Sequence, residues 1–247
     1  PSGNMVVDLM ESEDYLFDVD IDSNILKSGI HTAYWDLEYK APKIQEDFVS
    51  MYYSASRSYG PEAVPGTYKI ELSINEKVLS VPLKVVIDPR WDISNSDLQN
   101  QFDKANQVID LINESQLKLS SMRQISKQVK NYIELTKEKD YHNELKELGN
   151  KVIDKIISIE SELYQNKIKT SQDEINYARK WTNHITHLYD RITTDIQGPN
   201  DGMMKRIDEL TKNYNSIISP YNSIIENELN AFTSLLKDKG VGGIIID

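Results

Sequence analysis

The stretch Gly29–Arg90 decides the reading of the fold. It runs Gly-Ile-His-Thr-Ala-Tyr-Trp-Asp-Leu at 29 to 37, Gly-Pro-Glu-Ala-Val-Pro-Gly-Thr-Tyr at 60 to 68 and Val-Val-Ile-Asp-Pro-Arg at 85 to 90. Tyr68, Ile70, Leu72 and Ile74 alternate with Lys69, Glu71 and Ser73, the period-two pattern of a half-buried strand. Val81, Leu83, Val85 and Ile87 repeat it against Ser80, Pro82 and Lys84, so the two runs predict a hairpin across Asn75-Glu76-Lys77. Pro82 cannot donate to a ladder, which places it at an edge or a bulge. Pro65-Gly66 fits a turn with glycine where positive φ is needed. Upstream, Ala33, Trp35 and Leu37 alternate with Thr32, Tyr34 and Asp36, predicting an earlier strand with Trp35 as a core anchor. Phe17–Ile21 and Met5–Met10 are further candidate strands.

Beyond Asp92 the period changes to that of helices. Leu98, Phe102, Ala105, Ile109 and Ile112 are spaced 4, 3, 4 and 3, and Leu119, Met122, Ile125, Val129 and Tyr132 continue the stripe after a small phase slip. Asn95 or Ser96 before Asp97 is the expected cap. A second stripe uses Leu145, Leu148, Val152, Ile156, Ile159 and Leu163. A third uses Ile175, Ala178, Trp181, Ile185, Leu188 and Ile192. After Gly198-Pro199-Asn200-Asp201-Gly202, a fourth uses Ile207, Leu210, Tyr214, Ile217, Tyr221, Ile224 and Phe232. Four helices are expected, the last kinked near 216 to 219 because Pro220 removes one backbone bond. Gly240 and Gly242-Gly243 stop it, leaving an apolar tail, Ile244-Ile245-Ile246.

These patterns predict an α+β chain of two domains. Residues 1–92 read as an antiparallel Ig-like β-sandwich whose first strand can be absent, and 93–247 as an antiparallel helical bundle. The 247 residues exceed the usual size of one domain, about 100 to 150 residues, in agreement with that division. No run approaches the roughly 18 apolar residues that span a bilayer. The opening Pro1-Ser2-Gly3 lacks a leader pattern, so the expectation is a processed chain or a fragment. Zero cysteine excludes disulfides and thiolate metal sites. Of the net charge of −11, residues 1 to 92 carry 16 acids against 8 bases, and 93 to 247 carry 23 against 20. Without a basic face, nucleic acid is not an expected partner.

The order of the pieces resembles the C-terminal region of large bacterial proteins with an N-terminal β-propeller of the sortilin/VPS10-like or BNR/Asp-box glycosyl-hydrolase-like type. In those proteins an Ig-like module, similar to that of flagellar hook-capping proteins, precedes helices. The matching residues are Gly29, Ile30, Trp35, Asp36 and Leu37, then Gly60, Pro61, Pro65, Gly66, Thr67 and Tyr68, then Asp88, Pro89 and Arg90. Ser96-Asp97-Leu98-Gln99 with Gln101-Phe102, and Ala231 to Leu236, correspond in the helical half. The pattern departs at His31, at Glu38 and at Asn75-Glu76-Lys77. The resemblance implies a secreted, periplasmic or cell-envelope location. It also implies a partner in the propeller of the same protein or in another envelope protein.

No catalytic, cofactor-binding or metal-binding residues are assigned from the sequence. Asp18, Asp20, Asp22 and Asn24 imitate the start of a calcium loop, but Ser23 stands where glycine is needed and Gly29 where the closing glutamate is needed. His184, His187 and Asp190 share one helical face, though the apolar stripe of Trp181, Ile185 and Leu188 beside them favours a seam-edge pair over a metal site. The dispersed carboxylates define no acid–base pair, and no nucleophile elbow or phosphate loop is present. Tyr52, Tyr53 and Tyr59 are expected to close the sandwich rim or contact the helices ahead of binding a sugar or protein, and the long Lys40–Gly60 connection is where recognition is looked for first. The reading is therefore a non-catalytic accessory and interaction module, with an accessory part of a glycan-processing (sialidase-like) hydrolase as the alternative.

Overall fold

The computed structural model describes residues 35–50, 59–74 and 77–244. Two strands, β1 (Gly66–Ile74) and β2 (Lys77–Val85), form one antiparallel hairpin. Helices α1 (Asn95–Leu135), α2 (His142–Leu163), α3 (Trp181–Thr194) and α4 (Asp201–Ile218) follow. The last rod continues through α5 (Pro220–Ser223), a π-helical segment Ile224–Leu229 and α6 (Asn230–Asp238).

The expected Ig-like sandwich is overturned. The chain is mostly helical, and among the described residues the only sheet is this two-stranded one. The hairpin itself forms in the register that alternation demands, with Tyr68 opposite Leu83, Ile70 opposite Val81 and Leu72 opposite Leu79. No second described sheet lies on it. The expected strand at Ala33–Leu37, as far as it is described, is instead a turn. Asp36 Oδ1 accepts the Glu38 amide at 2.9 Å and the Trp35 indole donates to the Glu38 carbonyl at 3.0 Å. Leu37 there takes a left-handed φ of 69°. An isolated bridge, Glu38 with Glu62, follows. Trp35 is thus half-buried, edge-on to Tyr68 at 5.5 Å, and anchors no sandwich core. The candidate strands Met5–Met10 and Phe17–Ile21 lie outside the described residues.

The helical reading fares better. α1 extends about 62 Å at 1.5 Å per residue and packs on α2 and α3. Its stripe is buried from Ala105 to Val129, and the phase slip falls where Ser115 and Gln116 replace apolar residues in the core. Its cap is Ser94, one residue before the expected position. The Ser94 hydroxyl accepts from the Asp97 amide while Asp97 reaches back, a reciprocal capping box. The third stripe is shorter than expected. Ile175 is exposed at the end of a 3-10 turn (Ser171–Ile175) and Ala178 is also exposed, so α3 begins only at Trp181. Pro220 does interrupt the last rod, and the Ser219 hydroxyl donates to the Ser216 carbonyl that the missing proline N–H leaves unserved.

The described parts of the Lys40–Gly60 connection, 40–50 and 59–60, lie on the helices. Phe48 is in the bundle core, Lys43 and Gln45 amides donate to Asn113 and Gln116 of α1, and Tyr39 stacks edge-on with Phe102 at 4.7 Å. Arg123 of α1 bridges Asp47 of this strap and Glu160 of α2 at 3.1 and 2.9 Å, its guanidinium over the Tyr164 ring.

Candidate functional site

Among the described residues, the hairpin is the part least accounted for by internal packing. Directly opposed residues of an antiparallel pair point to one face, so Ile70, Leu72, Leu79 and Val81 share a surface with Tyr68 and Leu83. Thr67, Lys69, Glu71, Ser80, Pro82 and Lys84 form the other. The polar face is where solvent is expected, yet the apolar face is also open. Ile70 is 48% exposed, Leu72 47%, Leu79 62% and Val81 57%. A lone two-stranded ribbon is marginal in water, and contiguous apolar exposure marks an interaction surface. The buried Tyr68, whose hydroxyl donates to the Val64 carbonyl at 2.8 Å, roots the ribbon at its base.

At that base lies a groove of about 220 Å³ between Leu37, the 61–65 segment, the end of β2, Trp91 and the first turns of α1. Its construction depends on one close approach. A Cβ at Gly60 would sit 1.5 Å from the Tyr39 carbonyl oxygen, so only glycine lets the 36–39 and 60–63 segments touch. Tyr39 then donates to Pro61 O and Ala63 to Leu37 O. Neither Leu37 nor Gly60 is identifiable as a site residue from sequence, where Gly60 reads as a turn glycine. The signal available is that Gly60 is followed at once by Pro61, which limits the local backbone.

The histidines do not converge with their carboxylate. His184 and His187 lie on α3 as their spacing predicts, but Asp190 accepts the Tyr59 hydroxyl at 2.6 Å and Arg191 at 2.7 Å. No group of three potential ligands forms among the described residues. Burial, then Arg206 and Arg179, lowers the His184 pKa. Burial, then Arg191 and Arg179, lowers that of His187. A histidine depressed by folding binds its proton first in the unfolded chain. Stability is therefore full above the unfolded value, about 6.5, and falls as pH drops below it. Replacing both with glutamine is expected to flatten the loss of melting temperature between about pH 6.5 and pH 5. An unchanged slope would contradict it. A second loss is expected as pH falls below about 4, the unfolded value, toward the lower folded pKa of Asp47. Burial opposes ionisation of that carboxyl, but the Tyr164 hydroxyl and Arg123 outweigh it and hold the pKa down.

Tyr59 is no open stacking platform. Its ring lies 6.2 Å from that of Tyr189, and its backbone carbonyl accepts the Tyr189 hydroxyl at 2.8 Å. Tyr52, Tyr53 and the Asp18 to Asn24 stretch lie outside the described residues. Comparison with family models, with curated proteins and with solved structures found no match. No described helix is long and apolar enough to cross a membrane.

Proposed function

We propose that the chain is a non-catalytic interaction module, the C-terminal part of a larger exported protein built on a sortilin-like or BNR-repeat β-propeller. It docks on that propeller through the apolar face of the hairpin. The carrying observation is the alignment of Ile70, Leu72, Leu79 and Val81 on one open face. Each such side chain is already about half covered and gains roughly 1 kcal/mol more on full burial, so a cover on this face is favoured. The propeller is the chosen partner because the residues that carry the resemblance include the foot of β1, Gly66 to Tyr68, and the exit after β2, Asp88 to Arg90, and so bracket this hairpin. The glycan-hydrolase alternative, which the resemblance also raises, gains nothing from Tyr59, whose hydroxyl and carbonyl are committed to α3.

The paired substitution Leu72→Lys with Val81→Lys tests it. Both positions are exposed, so stability is expected to change by no more than about 0.5 kcal/mol per site. Affinity for the separately expressed propeller, measured calorimetrically, is expected to fall at least about a hundredfold, since two apolar contacts become buried charges. Equal affinity of the variant and the parent chain would remove the hairpin from the interface.

A further inference from the structure

We propose that the groove at the foot of the hairpin docks an extended segment of a partner protein in which apolar side chains flank a lysine or arginine. The inference rests on the reading of the chain as an interaction module but uses residues other than the hairpin face.

The walls are apolar. Leu37, Val64, Val86, Trp91, Leu98 and Phe102 line them, and the outermost three are open to solvent, Leu37 by 41%, Val86 by 65% and Trp91 by 44%. Leu37 holds a left-handed backbone that a bulky L side chain adopts at a cost, and that conformation puts it on the groove wall. The Leu37 backbone is held by the Ala63 amide, which donates to its carbonyl, while the side chain itself stays on the open wall.

The charge is one-sided. Asp36, Glu62 and Asp88 line the groove, and no lysine, arginine or histidine does among the described residues. The Arg90 guanidinium engages both Asp88 oxygens and offsets that one charge. Behind the wall, the Glu38 carboxyl is pushed above the usual carboxylate range by burial, with the Asp36 and Glu62 charges adding to the push. Like charges crowded beside apolar surface favour an incoming cation, and the open Trp91 ring offers a face for one. A second copy of this chain is a poor occupant, because a net charge of −11 repels itself. A segment carrying both apolar side chains and positive charge meets both features of the groove.

The test titrates the full chain with two labelled probe peptides, Leu-Lys-Val-Lys-Leu-Lys-Val-Gly and its counterpart with glutamate at every lysine, followed by fluorescence anisotropy. The lysine peptide is expected to bind saturably and at least tenfold more tightly than the glutamate peptide. Glu62→Gln is expected to weaken it severalfold. Leu37→Gly is expected to weaken it tenfold while leaving the melting temperature equal or higher, because glycine relieves the left-handed backbone. The hairpin pair Leu72→Lys with Val81→Lys is expected to leave peptide binding intact, which separates failure here from failure of propeller docking. Equal affinity for the two peptides, no saturable binding at millimolar concentration, or indifference to both Glu62→Gln and Leu37→Gly would overturn the proposal.

Discussion

Replacing Trp181 with alanine is expected to lower the unfolding free energy by about 3 to 5 kcal/mol, the range for deleting a large buried aromatic. Trp181 opens α3 at 2% exposure, its ring lies 5.1 Å from that of Tyr214, and its indole N–H donates to the Leu210 carbonyl at 2.9 Å. The substitution therefore removes a packed ring and a hydrogen bond that ties α3 to α4. It leaves a cavity among Ile185, Ile207 and their neighbours in the core, which the flanking helices can only partly fill. Urea denaturation checks it, and a midpoint close to that of the parent chain would mean that Trp181 is not in the core.

Gly60→Ala is the second large effect, and it acts at the candidate site. The added methyl would overlap a main-chain oxygen of Tyr39, and no side-chain rotation can relieve that overlap. The expected cost is about 3 kcal/mol, the upper part of the range for overpacking. The outcome is separation of the 36–39 segment from 60–63, with loss of the Tyr39–Pro61 and Ala63–Leu37 hydrogen bonds. Amide exchange in residues 36 to 64 should rise while that in α2 stays slow. The lysine peptide should no longer bind. Unchanged protection at Tyr39 and Ala63 would contradict the close approach.

The helical half was legible because its apolar stripes have one period and one destination. Each stripe from Ala105 to Val129, from Leu145 to Leu163 and from Ile207 to Phe232 is buried as its spacing predicts, with Leu148 and Ile217 at the margins. The misreadings there are local. Ile175 and Ala178 share the phase of α3 but precede its first turn, since Asp173 bonds back to the Lys169 and Thr170 amides and closes a separate 3-10 turn. Ser94 wins the cap from Asn95 and Ser96 because it alone stands three residues before Asp97.

The β half was legible only as far as pairing is local. Alternation and a short loop specify which residues of β1 and β2 face each other, and the register follows. Alternation also says that one face is apolar, but it does not say what covers that face. The sandwich reading supplied a second sheet for it. In the structure the residues after Trp35 turn at Leu37 and then lay Phe48 and Tyr59 on the helices, so that segment contributes to the bundle. The groove escaped sequence reasoning for a related reason. It depends on a backbone contact between Tyr39 and Gly60 that no periodicity encodes, and on Trp91, which lies between the hairpin and α1.

The central claim, that the apolar hairpin face is the docking surface, is tested most directly by hydrogen–deuterium exchange on the full chain with and without the proposed propeller partner. Protection is predicted to appear in Gly66–Ile74 and Lys77–Val85, whose apolar face is exposed and whose outer edges pair with no other described strand. Unchanged exchange in both strands on mixing with saturating propeller, or protection confined to the helices, would contradict it.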